Sequence, residues 1–148
     1  MIAVRRARAE DVPVIVAMFA DDELGARRET PDDLAPYHQA FKAVDADANQ
    51  HLVVLERDGR VVGCLQLTII PGLSRRGATR AIIEAVRVAA AERGEGLGAA
   101  LIGWAIDESR RLGVSLLQLT SDRSRTGAHR FYERLGFEAT HVGFKMQL

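Results

Sequence analysis

The chain has 148 residues, of which 47% are hydrophobic and 27% charged, and twenty Lys and Arg residues balance twenty Asp and Glu residues. This size and composition predict one globular domain over residues 1–148, and zero formal net charge argues against a nucleic-acid-binding surface. The single cysteine, Cys64, excludes an internal disulfide and fits a reducing compartment. Because the sequence shows neither a signal peptide nor a membrane-spanning run, we expect a cytoplasmic protein that binds no membrane.

Apolar periodicity and turn residues predict an alternation of strands and helices along the chain. The predicted strands are 2–6, 51–56, 61–70, 79–90, 114–120 and 137–148, the last as one strand or two short ones. The predicted helices are 10–19, 30–44, 96–112 and 128–135, and the segments 21–30, 71–77 and 121–127 are expected to be loops. The Asp58-Gly59 turn indicates a hairpin, and the unit 79–120 requires a parallel crossover. The fold class is therefore α/β (α+β), with a mixed, mostly antiparallel sheet flanked by helices.

Three glycines alternate in Arg93-Gly94-Glu95-Gly96-Leu97-Gly98, between a predicted strand and a predicted helix. Glycines let a ligand approach the backbone closely, and a helix N-terminus offers free N–H groups, so this turn predicts a phosphate seat. The spacing differs from the G-x-G-x-x-G of dinucleotide sites, and no Lys-Ser/Thr pair follows as in a P-loop. A glycine turn that serves packing alone is the alternative.

Two motifs together resemble the GNAT superfamily of N-acetyltransferases. Residues 93–98 match its R-x-x-G-x-G/A signature, and residues 128–137, AHRFYERLGF, resemble its A-x-x-x-Y-E-x-x-G-F segment. The opening residues 4–7 and the order of the elements are also similar, over essentially the whole chain. The resemblance implies a GNAT-like sheet in which two parallel strands splay apart at a cofactor cleft.

The resemblance further implies acetyl-CoA as the acyl donor. Backbone N–H groups of residues 94–99 would hold its pyrophosphate, and the strand around residues 86–88 would pair with the pantetheine arm. An N–H near Val86 would polarise the thioester carbonyl. Family members often carry Asn where this chain has Arg125, which could instead meet a cofactor phosphate. The implied cofactor-binding residues are Val86, Arg87, Val88, Arg93, Gly94, Glu95, Gly96, Leu97, Gly98, Ala99 and Arg125.

Acyl transfer needs a base for the amine and an acid for the departing thiolate. Strict alternation along the strand predicts Glu84 on one face with Ile82, Val86 and Val88, where apolar neighbours would partly desolvate the carboxylate and suit it as the base. A salt-bridged carboxylate, or one at the rim of the site, is the alternative. Tyr132, within the family-like segment, is the candidate acid, and a core aromatic is its alternative role.

The remaining residues of reactive types are expected to serve packing, or they do not identify the acceptor. Cys64 lies in an apolar strand and Trp104 in the apolar stripe of a helix, and the four histidines lack metal-ligand spacing, so we expect no metal. The resemblance places the acceptor against residues 21–37 and 71–77. There the acidic run 21–23 could attract a cationic amine, and the arginines at 75 and 76 could attract a carboxylate.

The leading prediction is an N-acetyltransferase that moves an acetyl group from acetyl-CoA to a primary amine by direct attack in a ternary complex. The amine could belong to a small molecule, a peptide or a protein. A non-catalytic acyl-CoA-binding regulatory module is the first alternative, although the presence of both Glu84 and Tyr132 argues against it. A different nucleotide-dependent enzyme is the second. GNAT proteins are often dimers, so the resemblance leaves a homodimer open.

Overall fold

The computed structural model describes residues 1–148, in which five strands form one sheet of order β1-β2-β3-β4-β5. The strands are β1 (Ile2–Arg6), β2 (Gln50–Arg57), β3 (Arg60–Ile70), β4 (Arg80–Val88) and β5 (Leu116–Leu119). The helices are α1 (Val12–Ala20), α2 (Glu23–Arg28), α3 (Ala35–Ala46), α4 (Leu97–Arg111) and α5 (Thr126–Arg134). Short 3-10 turns, Ala9–Asp11 and Ala90–Glu92, precede α1 and follow β4.

The sheet is mixed, as the sequence predicts. Strands β1 to β4 pair antiparallel with their neighbours, whereas β4 and β5 are parallel and are connected through α4. Since hairpins join antiparallel strands and a helical crossover joins parallel ones, this topology follows from the predicted order of elements. The predicted α/β fold class is confirmed.

The core has two parts, on opposite faces of the sheet. The α4-side core consists of Val53, Leu55, Val62, Leu65, Leu67, Ala81, Ile83, Leu97, Leu101, Ile102 and Ala105. The α1-side core consists of Ala7, Ile15, Met18, Val54 and Cys64. Helix α4 thus covers one face of the sheet and α1 the other. None of the helices is long and apolar enough to cross a membrane.

Residues 21–30 were expected to form a loop, but the structure contains α2 there. The Asp22 carboxylate accepts a hydrogen bond of 2.6 Å from the Gly25 N–H and so caps the helix. Gly25 is buried against the end of α1, where a Cβ would overlap the Phe19 carbonyl oxygen. This glycine therefore permits close helix packing and does not mark a loop.

The second predicted helix begins five residues later than expected, at Ala35. Residues 30–34 form a turn in which the Asp33 N–H donates to the Thr30 carbonyl over 2.9 Å. The Asp33 carboxylate then accepts from the Ala35 N–H at 3.2 Å. Pro36, and not Pro31, is the proline of the first helical turn, where a backbone N–H would have no intrahelical acceptor in any case.

The C-terminal strand predicted at 137–148 is absent. Between residues 138 and 148 one backbone hydrogen bond is present, from the Thr140 N–H to the Glu138 carbonyl at 3.0 Å. A strand requires a neighbour to pair with, and this segment has none within the chain.

Candidate active site

The two parallel strands part halfway along β4. They pair from Arg80 and Leu116 to Ile83 and Leu119, and no further. Strand β4 continues to Val88, so the edge of its second half that faces β5 has no strand beside it. A free strand edge can hydrogen-bond an extended ligand as an added strand. The splayed strands implied by the resemblance are therefore present.

A β-bulge lies at the point where the strands part. Between the cross-strand pairs Gln66–Glu84 and Cys64–Arg87, β4 has one residue more than β3. Ala85 in this interval has a φ of 56°, in the left-handed region. A non-glycine residue there costs about 1 kcal/mol, and such bulges commonly redirect side chains beside functional sites.

The bulge overturns the predicted surroundings of Glu84. Ala81 and Ile83 belong to the α4-side core, and Val86 and Val88 pack against that same core. The side-chain alternation therefore changes phase within the bulge, and Glu84 lies on the opposite face, exposed to solvent. The expectation that Glu84 shares an apolar face with Val86 and Val88 is wrong, because strict alternation assumes an unbroken strand.

The glycine turn presents open backbone donors at the start of α4. Gly94 and Gly96 have φ of 85° and 78°, and Gly96 caps the helix without any side-chain hydrogen bond. Ala100 donates back to the Gly96 carbonyl at 3.1 Å, whereas the first N–H groups of a helix have no intrahelical acceptor. The N–H groups of residues 97–99 are thus arranged as an anion seat requires.

Gly98 has a different role from the other two glycines. A Cβ on Gly98 would lie 3.3 Å from Cζ of Phe131 in α5 and 4.0 Å from a methyl of Val88. The third glycine of the turn therefore lies at the contact between α5 and α4, so the packing alternative bears on this position.

Arg93, which follows β4, and Arg125, which follows β5, each lie beside an aspartate of the segment that precedes α2. Nε of Arg93 donates to the Val88 carbonyl at 3.2 Å, and its Nη2 lies 4.0 Å from Asp21. Nη2 of Arg125 donates to the Asp22 carboxylate at 2.9 Å. These aspartates, expected to attract a cationic amine, already face arginines.

The side chain of Glu95 points away from the seat and pairs with Arg57 on the β2–β3 hairpin. Glu92 joins the same arginine at 3.0 Å. Leu97 is a buried member of the α4-side core. At both predicted positions, Glu95 and Leu97, the side chain is engaged elsewhere, and only the backbone remains for the predicted binding role.

Tyr132 lies among aromatic rings beside two cations. Its ring centroid is 5.1 Å from that of Phe131 and 6.0 Å from that of Phe137, both edge-on. Burial raises the pKa of Tyr132, and the nearby charges of Arg87 and Arg125 act in the opposite direction. The phenol therefore keeps its proton at neutral pH, as a general acid must.

The side chain of Arg87 is a site feature that sequence reasoning missed, since it considered only the backbone at this position. Its half-buried guanidinium lies 5.8 Å from the Phe19 ring centroid, and its Nη1 donates to the Val86 carbonyl at 2.8 Å. Nε is buried without a partner. Burial lowers the pKa of Arg87, and the charge of Arg125 lowers it further. An arginine inside an apolar strand was the available signal.

Two further sequence candidates are Cys64 and the arginines at 75 and 76. The Cys64 thiol is fully buried, donates to the Ala85 carbonyl at 3.5 Å, and has its pKa raised by burial to about 12, so it is unreactive. Arg75 and Arg76 form an exposed left-handed turn before β4. That turn is roughly 25 Å from the glycine turn at the other end of the strand.

Comparison with known proteins assigns the chain to a family. The sequence model of the acetyltransferase (GNAT) family matches residues 14–137. An aminoalkylphosphonate N-acetyltransferase of Salmonella typhimurium is 31% identical over 147 residues, which cover 97% of this chain and 90% of that protein.

Solved structures are similar over the whole length. A crystal structure of a transcriptional regulator from Bacillus halodurans C-125 has 42% identity, a TM-score of 0.96 and coverage of 100% of both chains. A GNAT family acetyltransferase from Staphylococcus aureus has 20% identity and a TM-score of 0.78, with 99% of this chain and 98% of that chain covered. The family model and the Salmonella relative show that the chain belongs to the acetyltransferase (GNAT) family, and the predicted enzyme class is confirmed.

Proposed function

We propose that this protein transfers the acetyl group of acetyl-CoA to the primary amine of a small molecule that also carries a phosphonate or phosphate group. The observation that supports this proposal most strongly is that β4 and β5 separate after four paired residues. This separation leaves β4 without a neighbouring strand along residues 84–88, where the carbonyls of Val86 and Val88 accept only from arginine side chains. This edge leads to the open N–H groups of residues 97–99. An extended pantetheine arm that ends in a pyrophosphate matches this combination.

The acceptor half of the proposal follows from an excess of positive charge beside Tyr132. Nε of the half-buried Arg87 guanidinium has no partner, and the nearby charges of Arg125, which donates to Asp22 at 2.9 Å, and of Arg28 both disfavour its charged form. Guanidinium groups bind phosphonate and phosphate oxygens through paired hydrogen bonds. The similarity to an aminoalkylphosphonate N-acetyltransferase supports this class of acceptor.

The chemistry needs no covalent enzyme intermediate. The amine loses a proton to Glu84, through water because that carboxylate is exposed, and attacks the thioester carbonyl. The Val86 N–H stabilises the developing oxyanion. The carbon–nitrogen bond forms, the carbon–sulfur bond breaks, and Tyr132 donates its proton to the departing thiolate. The second proton lost by the attacking nitrogen returns to Tyr132 through solvent.

An assay of the CoA thiol released with each of four matched amines tests both the acetyl transfer and the class of acceptor. The acceptors are 2-aminoethylphosphonate, phosphoethanolamine, β-alanine and ethanolamine, which differ in the anion. The protein's own thiol is buried and adds no background. We expect kcat/KM for the two phosphorus-containing amines to exceed that for ethanolamine roughly 100-fold, because charged hydrogen bonds are lost without the anion. Equal values for all four would refute the acceptor class, and CoA binding with no transfer to any amine would support the non-catalytic module.

Arg125 can serve the donor or the acceptor, and kinetics separate the two. If it binds the acceptor anion, Arg125→Gln raises KM for 2-aminoethylphosphonate and leaves KM for ethanolamine and acetyl-CoA unchanged. If it binds CoA, KM for acetyl-CoA rises with every acceptor. Arg123→Gln, an exposed arginine of the same loop, is the matched control and should change neither KM.

A further inference from the structure

Three polar side chains form a hydrogen-bonded cluster on the face of the sheet opposite α4. Nε2 of Gln66 donates to Oε1 of Gln50 at 2.8 Å, and the Thr68 hydroxyl donates to the same oxygen at 2.8 Å. Leu67, which lies between Gln66 and Thr68 on β3, belongs to the α4-side core. Because side chains alternate along a strand, the cluster lies on the α1 side, which is also the side of Glu84.

The cluster fixes the orientation of the Gln66 amide. Gln50 receives hydrogen bonds from both β3 side chains through one carbonyl oxygen, so this oxygen, and not the amino group of Gln50, meets Gln66. An amide that meets a carbonyl oxygen must present its nitrogen. The Oε1 atom of Gln66 receives no hydrogen bond from the chain and remains accessible to solvent. Gln66 therefore offers a hydrogen-bond acceptor at a defined place.

Glu84 offers a second acceptor directly opposite. Gln66 and Glu84 are partners across β3 and β4, immediately before the bulge at Ala85. Residues in this relation have Cβ atoms about 5 Å apart on one face of the sheet. The exposed Glu84 carboxylate takes part in none of the ion pairs of the chain. Two acceptors thus lie side by side without a donor from the protein.

This pair of acceptors is complementary to a protonated primary amine. An ammonium group carries three N–H donors and no acceptor, so it can satisfy both oxygens at once. The pair also lies where acetyl transfer requires the amine, because Val86, the proposed oxyanion donor, is two residues beyond Glu84 on the same strand.

We infer that Gln66 binds the amine of the acceptor, an assignment that rests on the proposed acetyl transfer. Its Oε1 accepts one N–H of the amine, while Glu84 faces another. Gln50 and Thr68 hold the Gln66 amide in this orientation without contacting the substrate. Arg125 would serve only acceptors that carry an anion, whereas Gln66 contacts the group that every amine acceptor has.

Kinetics of two Gln66 variants with 2-aminoethylphosphonate and ethanolamine test this role. Gln66→Met keeps the length of the side chain and removes the amide oxygen. It should lower kcat/KM for both amines at least ~10-fold, because a hydrogen bond to a charged group is lost, and leave KM for acetyl-CoA unchanged. Gln66→Glu keeps an acceptor oxygen but removes the donor to Gln50. It should retain kcat/KM within about threefold of wild type, which a purely structural role in the cluster would not allow.

Gln118 provides the matched control. It lies on β5 between Leu117 and Leu119, which pack against the α4-side core, so its side chain is on the same face as Gln66. Its Oε1 already accepts from Arg80 at 3.1 Å. Gln118→Met should therefore leave kcat/KM for both amines and KM for acetyl-CoA unchanged, and circular dichroism should show that all three variants are folded.

The outcomes separate this assignment from the proposed function. Wild-type kcat/KM in Gln66→Met, or an equal loss in Gln66→Met and Gln66→Glu, would overturn amine binding by Gln66 and leave the proposed acetyl transfer standing. A loss confined to 2-aminoethylphosphonate would place Gln66 at the anion and would also overturn it. A wild-type protein that acetylates none of the amines would overturn the proposed function, and this assignment with it.

Discussion

Alanine at Gly96 and alanine at Gly98 should change the stability of the protein in different ways, although the two positions are two residues apart. Gly96 has a φ of 78°, and no atom lies within 4 Å of where its Cβ would stand. The cost of alanine there is therefore conformational, about 1–2 kcal/mol for a side chain in the left-handed region.

Gly98 lies inside α4, where alanine is favoured over glycine by up to about 1 kcal/mol. Its Cβ would approach Cζ of Phe131 to 3.3 Å, so that ring must move by a few tenths of an ångström. The net change should lie between no effect and a gain of about 1 kcal/mol. The two variants should thus differ by about 2 kcal/mol, or roughly 1 M in the urea midpoint.

Urea denaturation followed by circular dichroism, and by the fluorescence of Trp104 as the sole tryptophan, measures this difference. Gly94→Ala is the matched control, since its φ is 85° and its Cβ would also meet open space. Gly96→Ala should weaken CoA binding about 10-fold as well, because it displaces the N–H groups that follow it. The reasoning is refuted if Gly98→Ala proves the more destabilising of the two.

Three further substitutions test separate parts of the protein. In urea denaturation, Asp11→Asn should lower the free energy of unfolding by about 3 kcal/mol, since the buried carboxylate accepts hydrogen bonds of 2.8 and 3.0 Å from Arg5. Glu10 pairs with Arg8 at the exposed surface, so the control Glu10→Gln should lower it by less than about 0.5 kcal/mol. The hydrogen bond from Arg5 lowers the pKa of Asp11 in the folded protein below its ordinary value of 3.8. The stabilisation by this pair is therefore complete above pH 3.8 and is lost as the pH falls through the lower pKa of the folded protein. In the Asn variant, the free energy of unfolding should accordingly depend less on pH in this acid range. Tyr132→Phe should reduce kcat at least ~10-fold with CoA affinity unchanged, and wild-type turnover would exclude the acid role. Gly25→Ala should cost more than ~3 kcal/mol through overlap with the end of α1, and an unchanged Tm would contradict that packing.

Features that depend on neighbouring residues could be predicted from the sequence. The hairpin at Asp58-Gly59, the helix stop at Gly113 and the glycine turn before α4 each follow from local conformational preferences, and each lies where expected. The resemblance to the GNAT family rests on the same kind of short segment. For that reason the fold and the enzyme class could be predicted from the sequence.

Features that depend on distant contacts could not be predicted. The pair between Arg125 and Asp22 joins residues 103 positions apart, and Gly25 reads as a loop residue until α1 is seen against it. The terminal segment has the alternation of a strand, but a strand also needs a partner, which this chain does not supply to itself. Alternation specifies which side chains share a face, and pairing decides whether a strand forms.

The bulge at Ala85 connects the donor cleft to the acceptor side of the sheet. In an unbroken strand, Glu84 and Arg87 would lie on opposite faces, and Val86 would share the face of Glu84. The extra residue turns Val86 into the α4-side core and brings Glu84 and Arg87 onto the face covered by α1. A carboxylate and a guanidinium then lie on the same side, next to the free edge of β4. One locally strained residue, whose cost of about 1 kcal/mol the surrounding sheet offsets, thus places the proposed proton acceptor and the proposed anion-binding group beside the cleft.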